Sequence, residues 1–114
     1  MIKMVDIDLA VRHCTGDVRK QRWDAATIAT FAKQALTYLV DREPEAAMDQ
    51  DGVIADIAST VSEGAELDLD ARYTSWLVDR VAYICFQSDA GDKRDAERAA
   101  ALRASTEAWL QPRG

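Results

Sequence analysis

Apolar residues recur at helical spacing in five stretches of this chain, separated by polar and capping residues. Around Val5–Cys14, Val5, Leu9 and His13 share one helical face, with Ile2, Ile7, Val11 and Cys14 as further apolar positions. Gly16 stands just past the end, where a left-handed cap is expected. Trp23-Asp24 opens the second stretch. Asp24 is a good N-cap, and Trp23 before it can pack on Ile28 as a hydrophobic staple. The stripe Ile28, Phe31, Ala32, Ala35, Leu36, Leu39 and Val40 is the clearest period in the sequence. Pro44 limits this helix, because a residue before proline disfavours α geometry, so its end is expected near Asp41–Glu43.

After a polar connection over 45–52, Val53, Ile54, Ile57, Ala58 and Val61 oppose Asp56, Ser59, Thr60 and Glu63. That spacing predicts a short helix ending at Gly64. Val53, Ile57 and Val61 also fit alternation, so a strand is the alternative. Ala65–Asp70 reads as extended, with Leu67 and Leu69 alternating against Glu66 and Asp68. Asp70 then caps a helix over Ala71–Ser88. Its apolar positions (Tyr73, Trp76, Leu77, Val78 and Val81 through Phe86) cover nearly the whole circumference in the last turns. A helix apolar all round is either central to a fold or shared between a core and a partner. Asp89-Ala90-Gly91 makes a turn, Asp92 caps an alanine-rich last helix to about Gln111, and Pro112 stops it. The expected fold is all-α: a compact bundle of four to five helices with short connections, forming one domain over 1–114.

Composition agrees with that pattern. A chain of 114 residues fits one domain. With 48% hydrophobic and 30% charged residues it is expected to be neither disordered nor embedded in a bilayer. The net charge of −6 weighs against general affinity for nucleic acid or anionic lipid, and suits a basic partner. Lys3 is followed by no apolar signal region, and no apolar run approaches about 18 residues. An intracellular protein is expected.

Candidate chemistry is sparse. His13 is the sole histidine and has no metal-ligand partner at helical spacing, so a structural or surface role is expected. Cys14 and Cys85 lie on apolar helical faces without a CxxC motif. Both read as small buried hydrophobes, with a disulfide or reactive thiol as the alternative. Asp49-Gln50-Asp51-Gly52 with Asp56 resembles part of a calcium loop, but aligning its glycine puts Ala47 and Ala58 at the carboxylate positions. Asp68 and Asp70 are better explained by the cap at Asp70. No glycine-rich phosphate loop and no Ser/His/Asp arrangement is present. The expectation is a non-enzyme without cofactor or metal. Arg19, Lys20 and Arg22 form the one basic cluster, read as a solvated loop, with a phosphate backbone or acidic partner as alternatives. Trp23, Trp76 and Trp109 read as core, although Trp109 could dock on a neighbour. The candidate protein-interface residues are Trp76, Arg80, Tyr83, Trp109 and Leu110.

Two stretches carry a resemblance. One is Arg22-Trp23-Asp24-Ala25, then Leu36, Leu39 and Val40, closing in Arg42-Glu43-Pro44-Glu45-Ala46. The other is Leu69-Asp70, Tyr73, Leu77-Val78, Val81, Tyr83, Phe86, Asp89-Ala90 and Arg98-Ala99-Ala100. In this order they resemble the head-to-tail adaptor, or head-completion connector, proteins of tailed bacteriophages, prophages and gene-transfer particles. Many of those carry a long strand-rich insertion between the two halves, whereas here only about residues 47–68 intervene, so the resemblance implies a short, all-helical member. It further implies a structural virion protein in the neck, assembled in the host cytoplasm as a ring of about a dozen copies. Its partners would be a portal protein and a tail or stopper protein, with passive contact to passing DNA and no membrane. Acidic residues around the lumen would discourage DNA adhesion. The helix over 71–88 and the last helix are expected to supply the two faces of the ring contact. The alternative, from another class, is a small acidic inhibitor (immunity, antitoxin or anti-defence protein) that masks a basic partner. A neighbouring portal or tail gene would favour the adaptor, and a toxin gene the inhibitor.

Overall fold

Local sequence signals account for most of the elements in the structure, a computed structural model that describes residues 2–17, 22–47, 51, 61–67, 69–88 and 93–110. The fold is all-α, among the described residues a small bundle of four helices with one two-stranded ribbon. Helix α1 spans Met4–Thr15 and ends at Gly16, whose φ of 81° is the left-handed cap that a glycine adopts without strain. Helix α2 spans Ala25–Arg42. Asp24 caps it, its Oδ1 accepting the Thr27 backbone N–H at 2.7 Å. Beyond Glu43, Pro44–Ala47 forms a 3₁₀ turn, so α2 stops where the proline requires. Ile28, Ala32, Ala35, Leu36 and Leu39 are fully buried, with Phe31 and Val40 packed at the margin.

The orientation of α1 differs from the sequence expectation. Met4, Ile7, Val11 and Thr15 face inward, while Val5 and Leu9 are 56% and 55% exposed and His13 is exposed too. The cause lies in the two residues before the helix. Ile2–Lys3 is not helical but forms strand β1, antiparallel to β2 (Glu66–Leu67), with Ile2 opposite Leu67 and Lys3 opposite Glu66. The Met4 N–H also donates to the Ala65 carbonyl at 2.9 Å. This anchor fixes the entry of α1 and turns the Met4–Ile7–Val11 side to the core. Cys14 falls beyond the edge of that face and is exposed, contrary to its reading as buried; Cys85 is buried as expected.

The extended reading of 65–70 holds for its described part. Leu67 and Leu69 are buried and Glu66 exposed. Of the helix expected over 53–63, residues 52–60 lie outside the described residues. Val61 and Ser62 are not helical, and Glu63–Gly64 is a turn closed by the Ala65 N–H on the Ser62 carbonyl at 3.1 Å. No helix therefore runs into Gly64.

Helix α3 (Thr74–Ser88) follows a 3₁₀ turn over Ala71–Tyr73, which Asp70 caps by accepting the Arg72 N–H at 3.0 Å. Helix α4 spans Lys93–Trp109. The expected turn and cap at 89–92 and the stop at Pro112 lie outside the described residues. α1, α2 and α4 all pack on α3, which is thus the central element. Most of its apolar circumference is covered by its own chain, with Val78 and Ile84 left half-buried. α4 buries only Asp95, Ala99 and Thr106 and leaves most of its alanines outside.

Candidate functional site

Positions 76, 80 and 83 fall on one side of α3 because residues three and four apart share a helical face. In the structure that side meets α4 and the middle of α2. The Trp76 indole N–H donates to the Thr106 carbonyl at 3.1 Å, and Arg80 Nη1 donates to the Thr106 hydroxyl at 3.1 Å. That hydroxyl donates in turn to the Arg103 carbonyl at 3.0 Å. Thr106 is 1% exposed, so these three bonds close a dry polar seam between α3 and α4. The Arg80 guanidinium lies 4.0 Å from the ring centre of Tyr38 and 4.6 Å from that of Tyr83. Tyr38 also stacks on Trp76 at 6.4 Å with the rings 13° apart, and Arg42 rests 4.7 Å from its centre. Cation–aromatic contacts of this kind contribute about 0.5–2 kcal/mol each, most where water is excluded.

The sequence-predicted interface residues thus divide. Trp76, Arg80 and Tyr83 come together, but at 2%, 8% and 8% exposure they are held chiefly by their own chain. Trp109 is half-buried against Tyr73, ring centres 5.4 Å apart, so it docks on its own core; Leu110, also half-buried, packs on the same core. Tyr38, Arg42 and Thr106 complete the cluster and were not singled out in the sequence. Tyr38 sits off the α2 stripe, and nothing local links it to a residue on α3.

A second polar cluster ties the end of α1 to the start of α2. Arg12, 1% exposed, donates from Nε to Asp8 Oδ1 at 2.6 Å and from Nη1 to Asp17 Oδ2 at 3.1 Å and to the Trp23 carbonyl at 2.8 Å. Asp17 also accepts the backbone N–H groups of Arg22 and Trp23, each at 3.1 Å. Arg22 packs 4.3 Å from the Trp23 ring centre and pairs with buried Asp95 on α4 at 2.8 Å. Of the basic cluster read as a solvated loop, Arg22 is therefore built into the fold; Arg19 and Lys20 lie outside the described residues. Trp23 meets Phe86 edge-on at 6.3 Å and shares its core with buried Ile28.

Titratable groups elsewhere are shifted by burial without converging. Burial pushes the Cys85 thiol up to about 12. It also raises Cys14, with the nearby Asp79 carboxylate adding to the effect, and raises Asp79 itself. The hydrogen bond to Thr27 lowers Asp24. Among the described residues no three His, Cys, Asp or Glu side chains are grouped to hold a metal ion, and no helix is long and apolar enough to cross a membrane. Asp70 serves as a cap, and Asp68 lies outside the described residues. The outer face of α1 carries the two exposed large hydrophobics found among the described residues, Val5 and Leu9. They flank a groove of about 430 Å³ bordered by Asp8, Ala25 and Glu63. Neither protein-family models, nor curated proteins, nor solved structures provide a match to this chain.

Proposed function

We propose that the chain is a structural assembly subunit, a head-to-tail connector of a tailed phage or prophage that forms a ring between portal and tail around the DNA channel. The reading rests on the sequence resemblance, and one observation carries it. Of the residues that make the resemblance, Trp23, Leu36, Leu39, Tyr73, Leu77, Val81 and Phe86 share one core. Asp24 and Asp70 cap the elements that the two resembling stretches open. A pattern used largely for packing and capping characterises a fold family more than a shared catalytic centre, and fits a protein that works through its outer surfaces.

Two outer surfaces suit a contact between neighbours in a ring. The outer side of α1 offers Val5 and Leu9, one turn apart. The surface of α4 beside Tyr83 offers exposed Ala96, Ala100 and Ala104, where a neighbouring backbone can approach closely. A ring needs two different faces related by a rotation that closes, and these faces are different. α3 is mostly enclosed by its own chain and offers a smaller apolar face, at half-buried Val78 and Ile84.

Electron microscopy of the full chain mixed with portal rings from the same genome tests this. A density layer seated on the portal, with the portal's rotational symmetry, is expected. Portal rings that stay bare at saturating chain concentration would remove the proposal. Capture of one basic toxin or nuclease at a one-to-one ratio would replace it with the inhibitor reading.

A further inference from the structure

Arg80 is a charge buried without a counter-charge. Its residue is 8% exposed, yet no carboxylate among the described residues lies within ion-pairing distance. A guanidinium has five N–H donors, and one is used here, from Nη1 to the Thr106 hydroxyl. Among the described residues Glu43 Oε2 is the one fully buried side-chain nitrogen or oxygen lacking a partner. Arg80 Nε and Nη2 are therefore not fully buried, on the edge of a group otherwise packed against Tyr38 and Tyr83. Two further arginines stand around the same rings. Arg42 lies 4.7 Å from the Tyr38 ring centre. Arg103, with 60% of its side chain exposed, donates from Nε to Glu107 Oε1 at 3.2 Å, with Tyr83 nearby. Arg80 and Arg42 thus share the Tyr38 ring on a chain whose net charge is −6, while Arg103 is a third cation whose charge Glu107, at the rim of the adjoining groove, offsets in part. Tyr83 and Arg103 also wall a groove of about 460 Å³ between α3 and α4, lined by Ala96, Ala100 and Ala104.

We infer that the Arg80 edge is a docking site for a protein carboxylate, the acidic side chain of a partner segment that lies in the adjoining alanine-lined groove. A planar fork held against aromatic rings is preorganised, and a carboxylate matches it with two parallel hydrogen bonds. The groove admits a segment with little bulk beside its acidic residue. A nucleic acid fits less well. The chain's overall charge repels a polyanion, and Tyr38 is already engaged by Arg80, Arg42 and Trp76, so it offers no free platform for a base. The inference does not depend on the connector reading and is tested on the chain alone.

The test is an NMR titration of the isotope-labelled full chain at about 0.15 M salt, where long-range surface attraction is screened. The probes are an acetylated hexaglutamate peptide, inorganic phosphate and decathymidylate. Hexaglutamate is expected to shift the Arg80 Nε–H signal and the Tyr38 and Tyr83 ring signals saturably, leaving the Arg22 Nε–H signal, already paired with Asp95, unmoved. Arg80→Lys keeps the charge and loses the fork, and is expected to weaken binding about tenfold. Arg103→Ala, on an exposed side chain that cannot unfold the core, is expected to weaken it roughly threefold. No saturable change at Arg80 with hexaglutamate overturns the inference. So does an Arg103→Ala chain that binds as tightly as the parent, or a tighter response to phosphate or decathymidylate.

Discussion

Removing the Arg12 side chain would take the 3.1 Å ion pair with Arg12 away from buried Asp17, which also accepts the backbone N–H groups of Arg22 and Trp23. Breaking a buried pair from one side costs about 3–5 kcal/mol, because the remaining charge loses its attraction without regaining water. Arg12→Ala is accordingly expected to lower the urea-unfolding free energy by roughly that amount. A loss under about 1 kcal/mol would show that the cluster is solvated and does not hold the α1–α2 junction. Asp79 acts in the opposite sense. Burial raises its carboxyl above the ordinary value, so its contribution is most favourable below the unfolded value and is lost as pH rises through the folded one. Asp79→Asn should raise the melting temperature at pH 7 and leave it unchanged near pH 3. It should also speed modification of exposed Cys14, whose thiol Asp79 helps to raise. Cys85 follows the same sign. With its thiol pushed from 9.0 to about 12, stability should decline between those values as the unfolded thiol ionises first. At this scale the sequence was partly legible. Asp8 and Arg12 are one helical turn apart and could be paired on spacing alone, whereas Asp17 joins them only because the chain folds back to Trp23.

Elements were more legible where their signal is local. Asp24 as a cap, the α2 stripe, the stop before Pro44 and the helix entered after Asp70 all rest on residues within a few positions of each other. α1 shows the limit. Its short sequence offers apolar residues on two sides, Met4–Ile7–Val11 and Val5–Leu9, and amphipathicity alone ranks neither first. The choice is made by Ile2 pairing with Leu67, far along the chain and invisible to a local window. Ile7→Ala should therefore cost about 2–5 kcal/mol, as for any filled core position. Val5→Asp combined with Leu9→Asp should leave the melting temperature within a few degrees of the parent. Equal damage from both changes would put the wrong side of α1 in the core. Asp24→Ala should destabilise α2 and Asp24→Asn, which keeps the acceptor, much less. The Asp24 contribution should fade as pH falls through its lowered value, because the charged form is the better acceptor.

For the whole molecule, the apolar girth of α3 serves mostly internal packing. It read equally as core or as shared surface, and α1, α2 and α4 occupy most of it. What remains for neighbours is smaller and lies mostly elsewhere: Val5 and Leu9 on α1, the exposed alanines of α4, and the edge of Arg80. The last was legible only as separate residues, since Trp76, Arg80 and Tyr83 share a face of α3 while Tyr38 and Thr106 arrive from other helices. The proposed connector would assemble on its template through many weak, repeated contacts, and native mass spectrometry of portal rings saturated with the full chain counts the chains bound. The account predicts one dominant species, a portal ring carrying about a dozen chains, which Val5→Asp with Leu9→Asp disperses while each chain stays folded. Portal rings with no bound chain, or chains bound in a broad spread of numbers that the double substitution leaves unchanged, would contradict it.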